Sequence, residues 1–243
     1  MPRLYVEVPL ADLATGAQLE LPASAARHVQ VLRLQPGEVV DLFDGSGSDW
    51  LGEIVAMGRS SVSVRLGAPR RIQRELAHAV TLALAMPAND RMDGIVEKAT
   101  ELGARAIQPL MSERSVLRLA GDRAEKKRAH WQGVAVAACE QSGRSVVPVI
   151  EPVRNLVEWL GSLGDAPASR RWLLSPNAAE PIARRAGEPG VATLVLSGPE
   201  GGLSAAEEDA ARARGFGAVQ LGPRILRADT APLAVLGWLA LSD

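Results

Sequence analysis

Thr193-Leu194-Val195-Leu196-Ser197-Gly198-Pro199-Glu200-Gly201-Gly202 runs from an apolar strand into a glycine-rich turn. Leu203-Ser204-Ala205-Ala206-Glu207-Glu208 follows and reads as a helix start. Ser204 serves as N-cap, and Glu207, three residues on, completes a capping box. The glycines therefore lie between the end of a strand and the start of a helix, where ligands bind in open α/β sheets. No Gly-Lys-Ser/Thr follows, so this is not a Walker phosphate loop, and the Gly-x-Gly-x-x-Gly spacing is absent too. The segment offers backbone without side chains, able to approach a flat or charged ligand closely. A plain strand-to-helix turn accounts for the same residues equally well.

A second stretch repeats the arrangement. Leu221-Gly222-Pro223-Arg224-Ile225-Leu226-Arg227-Ala228-Asp229-Thr230-Ala231 follows the strand Ala218–Leu221 and leads into an apolar helix from Thr230 to Leu241, with Pro232 in its first turn. That helix is apolar nearly all round, which predicts burial inside the domain or against another subunit.

Upstream, from Ala79 on, strands alternate with helices. Strands are expected at Val80–Ala85, Ala106–Leu110, Val147–Ile150 and Arg171–Leu174. Helices are expected at Asp93–Gly103, Arg123–Gln141 and Val153–Leu160. In the long helix, Trp131, Val134 and Ala138 form an apolar stripe. Such alternation predicts a parallel sheet with helices on both faces.

Residues 1 to 70 have a different texture. Tyr5–Val8, Val39–Phe43, Trp50–Val55 and Ser61–Leu66 read as strands separated by turns at Pro36-Gly37, Asp44-Gly45-Ser46-Gly47 and Gly58. This spacing suggests a small barrel. One helical piece, Ala25–Arg33, interrupts it and carries Arg27, His28 and Arg33. Arg70-Arg71-Ile72-Gln73-Arg74-Glu75 reads as a linker, either a solvated hinge or a strip that touches phosphates.

Composition bounds the function. The chain has 243 residues, 47% apolar and 23% charged, with a net charge of −1. That balance argues against bulk polyanion binding but not against a local basic face. Lys98, Lys126 and Lys127 are the only lysines, so arginine carries most of the positive charge. The single cysteine, Cys139, permits no internal disulfide. With three histidines and one cysteine there is no metal-ligand cluster, and no metal is expected. No apolar run spans a bilayer, and Met1-Pro2-Arg3-Leu4-Tyr5 lacks the core of a secretion signal, so a cytoplasmic location is expected.

Taken together, the motifs resemble those of the RsmE family, SPOUT-superfamily enzymes that methylate N3 of a uridine in 16S ribosomal RNA of the small subunit. Arg27-His28-Val29 with Val31-Leu32-Arg33 and Pro36-Gly37 is similar to the family's N-terminal signature. Asn89-Asp90-Arg91-Met92-Asp93 leading to Glu97-Lys98-Ala99-Thr100-Glu101-Leu102-Gly103 is similar to its first catalytic-domain motif. Glu113-Arg114-Ser115, Glu140-Gln141-Ser142-Gly143-Arg144, the glycine turn and Ile225-Leu226-Arg227 complete the set in order. Two departures stand out. Ala88 and Asn89 occupy a region where the family often has a lysine, and Arg227-Ala228-Asp229-Thr230-Ala231 replaces Arg-Thr-Glu-Thr-Ala, shortening a carboxylate by one methylene.

The resemblance implies a PUA-like β-barrel RNA-binding domain over residues 1–72 and a SPOUT α/β domain with a C-terminal trefoil knot over 73–243. It implies S-adenosylmethionine as methyl donor and a homodimer with sites near the subunit interface. Leu196, Gly198, Pro199, Glu200, Gly201, Leu221, Gly222, Ile225, Leu226, Thr230 and Ala231 would then hold the donor. Arg3, Arg27, His28, Arg33 and Arg114 would contact RNA. Removing the uracil N3 proton spreads charge over two carbonyl oxygens, which a positioned arginine stabilises. Arg91, Arg114, Arg144 and Arg227 are candidates for that role, and Glu140, Asp229 or Glu200 for the base. Other readings stay open: a different SPOUT enzyme acting on ribose 2′-oxygen or transfer RNA, a non-catalytic RNA-binding assembly factor, or a nucleotide-dependent enzyme of small metabolites.

Overall fold

The computed structural model describes residues 1–88, 91–164, 169–182 and 191–242. The chain divides into two compact units, one of Met1–Glu75 with Val136–Val147 and one of Leu76–Ala135 with Pro148–Asp243.

In the first unit five strands form one sheet: β1 (Arg3–Tyr5), β2 (Gln18–Glu20), β3 (Val39–Phe43), β4 (Ser48–Met57) and β5 (Val62–Arg71), with α1 (Ala23–Val31) between β2 and β3. Their order is β1-β3-β4-β5-β2, antiparallel except for the parallel pair β1–β3. Alternating apolar residues (Leu42, Ile54, Val62 and Val64) meet Ala25, Ala26 and Val29 of α1 in one core. The first strand lies earlier than the Tyr5–Val8 expected, because Glu7 and Val8 are exposed and Pro9 has no N–H to give a ladder. The short β2 has no apolar alternation of its own and is held by pairing with Ser63–Arg65.

Residues 136–147 join this unit through polar bonds. Arg3 forms a two-pronged pair with Asp49 and also donates to the Arg144 carbonyl and Ser145 Oγ, each at 3.2 Å. The Gly47 N–H donates to the Ser145 carbonyl at 3.0 Å, and Arg74 donates to the Gly143 carbonyl at 2.6 Å.

The second unit is α/β. It comprises β6 (Val80–Ala85), α2 (Arg91–Glu101), β7 (Ala106–Met111), the first part of α3 (Gly121–Ser142), β8 (Val149–Ile150), β9 (Arg154–Asn155) and α4 (Leu156–Ser162). It continues with β10 (Ser169–Leu174), β11 (Ala192–Ser197), α5 (Ala205–Ala213), β12 (Gly217–Val219) and α6 (Thr230–Ala240). Every pair in its sheet is parallel, in the order β12-β10-β11-β6-β7-β8, with β9 also on β7. Central strands buried on both faces read as continuous apolar runs, as in Val80-Thr81-Leu82-Ala83-Leu84-Ala85. The chain lays β7 and β8 on one side of β6 and β10–β12 on the other. The crevice between β6 and β11 is therefore a topological switch point.

Helix boundaries follow local chemistry. α2 stops at Gly103, whose φ of +94° suits glycine and where a Cβ would come 2.7 Å from Leu76 Cγ. Ser204 and Glu207 form the expected capping box on α5, an arrangement that contributes about 1 kcal/mol. The helix expected from Val153 starts later, because Asn155 caps it by accepting from the N–H groups of Val157 and Glu158. In α3 the buried stripe is Trp131, Ala135, Ala138 and Cys139, while Val134 is half-buried. α6 is not buried all round: Pro232, Val235, Leu236 and Leu239 are covered, while Leu233 and Trp238 are half-exposed and Ala234 is exposed. α6 packs against α2 and β11, and α4 packs against α5.

Candidate functional site

A cavity of about 560 Å³ opens at the C-terminal ends of β10, β11 and β12. Three strand-end turns wall it: Ser175-Pro176-Asn177, Ser197 to Leu203, and Leu221 to Ala228. The second turn closes on itself, the Gly202 N–H donating to the Pro199 carbonyl at 2.8 Å. A Cβ on Gly198 would meet the backbone N of Leu203 at 3.0 Å and Gly202 C at 3.2 Å, so a side chain there would crowd the backbone of the turn. Leu174, Val219, Leu221 and Leu226 supply apolar wall; Glu200, Glu208, Arg91, Arg114 and Arg227 supply charge.

Of the residues expected at the donor site, Gly198, Pro199, Glu200, Gly201, Leu221, Gly222, Ile225, Leu226 and Ala231 line this cavity. Leu196 does not. Successive strand residues point to opposite faces, so Ser197 faces the cavity while Leu196 packs with Ala83, Leu110 and Leu173 in the core. Thr230 lies instead in a neighbouring groove of about 590 Å³ between α2 and α6, with Ile95, Lys98, Leu233 and Ala234. Ile225 lines the cavity yet is 84% exposed, so its side chain stands at the mouth. Asn89 and Asp90 lie outside the described residues.

Charged residues from three segments meet at Arg91. Arg91, in the first turn of α2, lies 3.4 Å from Glu200 and 3.9 Å from Asp229. Glu200 also accepts from the Ala88 N–H, at 3.1 and 3.2 Å to its two oxygens. Arg114 Nη1 donates to the Gly201 carbonyl at 2.8 Å. The first turn of α2 is tied to α3 through Asp93, which accepts from Trp131 Nε1 at 3.0 Å and lies 2.7 Å from His130 Nε2. Burial pushes the Asp93 carboxyl up, but these partners and the nearby Lys127 outweigh it and hold it below the usual carboxylate range.

Glu140 and Arg144 belong to the first unit and are not among the residues lining the cavity. Arg144 is 2% exposed and its guanidinium grips the Glu75 carboxylate, with Nε 2.9 Å from one oxygen and Nη2 on the other. Glu140 accepts from the Tyr5 N–H at 3.0 Å and lies 3.9 Å from His28. Next to Glu140, Cys139 is buried, and desolvation pushes its thiol up to about 12, so it is inert as a nucleophile. Arg3 is committed to Asp49. Arg27 and Arg33 are exposed and His28 is half-buried on α1 and its C-terminal turn.

Sequence reading passed over Ser175, Asn177 and Glu208, all in the cavity wall. The signal was available: Ser175-Pro176-Asn177 directly follows a strand, making it a third turn at the same sheet edge. Among the described residues no group of three or more His, Cys, Asp or Glu is arranged to hold a metal ion, and no helix is long and apolar enough to cross a membrane.

Comparison with known proteins agrees with this architecture. A family model described as RNA methyltransferase domain matches residues 74–240, and one described as RNA methyltransferase PUA domain matches residues 21–67. Ribosomal RNA small subunit methyltransferase E of Bacillus subtilis (strain 168) is 30% identical over 249 residues, covering 99% of this chain and 96% of its own. A crystal structure of ribosomal RNA small subunit methyltransferase E from Neisseria gonorrhoeae bound to S-adenosyl methionine superposes with a TM-score of 0.91 at 35% identity, covering 100% of this chain and 98% of that one. A putative methyltransferase from Legionella pneumophila in complex with S-adenosylmethionine gives a TM-score of 0.90 at 29% identity, covering 99% and 97%. A cavity built from three strand-end turns, the ordered motifs and near-complete matches over both units agree: the chain belongs to the ribosomal RNA small subunit methyltransferase E family.

Proposed function

We propose that the protein transfers a methyl group from S-adenosylmethionine to N3 of a uridine in 16S ribosomal RNA of the small subunit. The observation that carries this reading is the cavity at the C-terminal ends of β10, β11 and β12, walled by the two family glycine turns. The residues fit the donor. About 560 Å³ lies within the range of pockets for ligands of that size. Gly198 leaves backbone bare where a Cβ would be crowded, the leucine and valine walls suit an adenine ring, and Glu200 and Glu208 provide negative charge for a cation.

When bound, the donor supplies a methyl group on a positively charged sulfur. The protein's own task is positioning and charge control. Arg91 and Arg227 line the cavity and stabilise the charge that develops on the uracil oxygens once N3 loses its proton. Glu200 and Asp229 both lie within 4 Å of Arg91, and we assign the proton-accepting role to one of them. Arg144, held by Glu75, is assigned a bracing role in the first unit, and Glu140 anchors the Tyr5 backbone there. The exposed Arg27 and Arg33, with His28, give that unit an RNA-contacting edge suited to phosphates.

Two further features belong to this reading. After edge strand β12 the chain returns to pack α6 on β11 and α2 near the middle of the sheet, a path that supports the trefoil knot of the family. The half-exposed apolar side of α6, beside the groove with Ile95 and Leu233, supports a homodimer closing there. An RNA substrate in the small subunit is met in the cytoplasm.

Calorimetric titration with S-adenosylmethionine tests the donor site. The wild type binds one donor per chain, and Gly198→Val abolishes binding while the thermal unfolding transition persists. Absence of binding to the wild type contradicts the proposal.

A further inference from the structure

The capping box on α5 does more than end a helix. Glu207 is 5% exposed. Its Oε2 accepts from the Ser204 N–H at 2.9 Å, as a capping box requires. Its Oε1 accepts from the N–H of Glu113 at 2.7 Å, a residue 94 positions away in the turn after β7. That turn is compact: Ser115 Oγ accepts from the Ser112 N–H at 3.1 Å, and Arg118 donates to the Glu113 carbonyl at 2.8 Å. The next residue, Arg114, reaches back to the Gly201 carbonyl in the wall of the cavity. Glu207 thus closes a loop of contacts: α5 N-terminus, Glu113 backbone, Arg114 side chain and glycine turn, returning to α5.

We propose that Glu207 is a positioning residue for methyl transfer, a two-oxygen clamp that holds the Glu113–Arg114 turn against the glycine turn. The inference rests on the methyltransferase reading for its consequence, but the clamp itself is a property of the chain alone. The chemistry singles out glutamate. A capping box accepts Glu or Gln equally. A carboxylate has two acceptor oxygens, whereas a Gln amide has one acceptor and one donor. Gln at this position satisfies either the Ser204 N–H or the Glu113 N–H and sets an NH₂ group against the other. Capping alone therefore predicts that Glu207→Gln removes only a first-turn charge and leaves the Glu113 amide as it was, and the clamp predicts that this amide is freed.

The test uses Glu207→Gln, Arg114→Ala and the double variant. Hydrogen exchange of the 112–118 segment is followed in each, together with donor affinity. The clamp predicts that Glu207→Gln speeds exchange at the Glu113 amide about tenfold, the loss of one hydrogen bond. It predicts that donor affinity falls by a similar ~tenfold in either single variant, and that the double variant is no weaker than the weaker single one, because both break one linkage. Wild-type exchange in Glu207→Gln overturns the clamp, and so do losses that multiply in the double variant. Faster exchange in Glu207→Gln alongside a wild type that binds no donor supports the clamp and overturns the methyltransferase reading instead. Should Glu207→Gln not fold, Glu113→Pro removes the same N–H without touching the capping box. Loss of donor affinity there supports the proposal, and full affinity refutes it.

Discussion

The guanidinium of Arg91 lies 3.4 Å from the carboxylate of Glu200, joining the first turn of α2 to the glycine turn after β11. Both side chains are about one-third exposed. An ion pair that wet contributes less than about 1 kcal/mol to stability, so the pair is poorly explained as a structural brace. Its place at the mouth of the cavity, with Asp229 3.9 Å from the same arginine, is better explained by chemistry.

Arg91→Ala is accordingly expected to lower turnover by about 10²–10³-fold, the usual cost of removing one stabiliser of developing negative charge. The melting temperature and donor affinity should change little. Single-turnover kinetics beside calorimetric titration separate the two effects. A variant that loses donor binding and keeps its rate at saturation would move Arg91 from the reacting base to the donor.

Arg33 is the only non-glycine residue with positive φ among those described, at 58°. It follows α1, where the Leu34 N–H donates to the Val29 carbonyl and the Arg33 N–H to the Gln30 carbonyl, a helix ending that favours glycine. The left-handed conformation costs a non-glycine residue about 1 kcal/mol. Glycine's larger unfolded-state entropy offsets part of the gain, so Arg33→Gly should stabilise the fold by roughly 0.5 kcal/mol. RNA affinity should fall at the same time, with the slope of log affinity against log salt reduced by about 0.7 for one lost contact to single-stranded phosphate. Unfolding curves and salt-dependent RNA binding check the two signs; unchanged RNA binding would reduce Arg33 to an unexplained strain.

Asp93 gives a pH signature. Burial disfavours its charge, but hydrogen bonds from His130 and Trp131 with the charges of His130 and Lys127 win, so its folded pKa lies below its unfolded value. A depressed carboxylate stabilises the fold above the unfolded pKa and loses that contribution as pH falls through the folded one. The stability difference between wild type and Asp93→Asn should therefore be full at neutral pH and shrink on acidification below the ordinary carboxylate range. Denaturant titrations across that range measure it. A gap that widens in acid would contradict the assignment.

Much of the second unit could be read from residue order. Short apolar runs bounded by polar, proline or glycine turns gave β6, β7, β10 and β11, and Ser204 with Glu207 gave the start of α5, because these are local signals. What escaped was set by distant partners. β2 exists through its pairing with Ser63–Arg65. Residues 136–147 join the first unit because Arg3 and Arg74 bind carbonyls there. The apolar pattern of α6 did not say which side faces the domain; within the chain the side facing β11 and α2 is the covered one. At the site, Leu196 and Ser197 were separated only by the pleat of β11, whose phase the sequence alone leaves open. The partner of Arg144, Glu75, stands 69 positions earlier in the chain, a pairing that no local pattern marks.

Incubation of the purified protein with methyl-labelled S-adenosylmethionine and small ribosomal subunits from cells lacking it, followed by digestion of the RNA to nucleosides, tests the central claim most directly. Label in 3-methyluridine is the predicted result. Label in a ribose-methylated nucleoside, or none despite a bound donor and intact subunits, would contradict it.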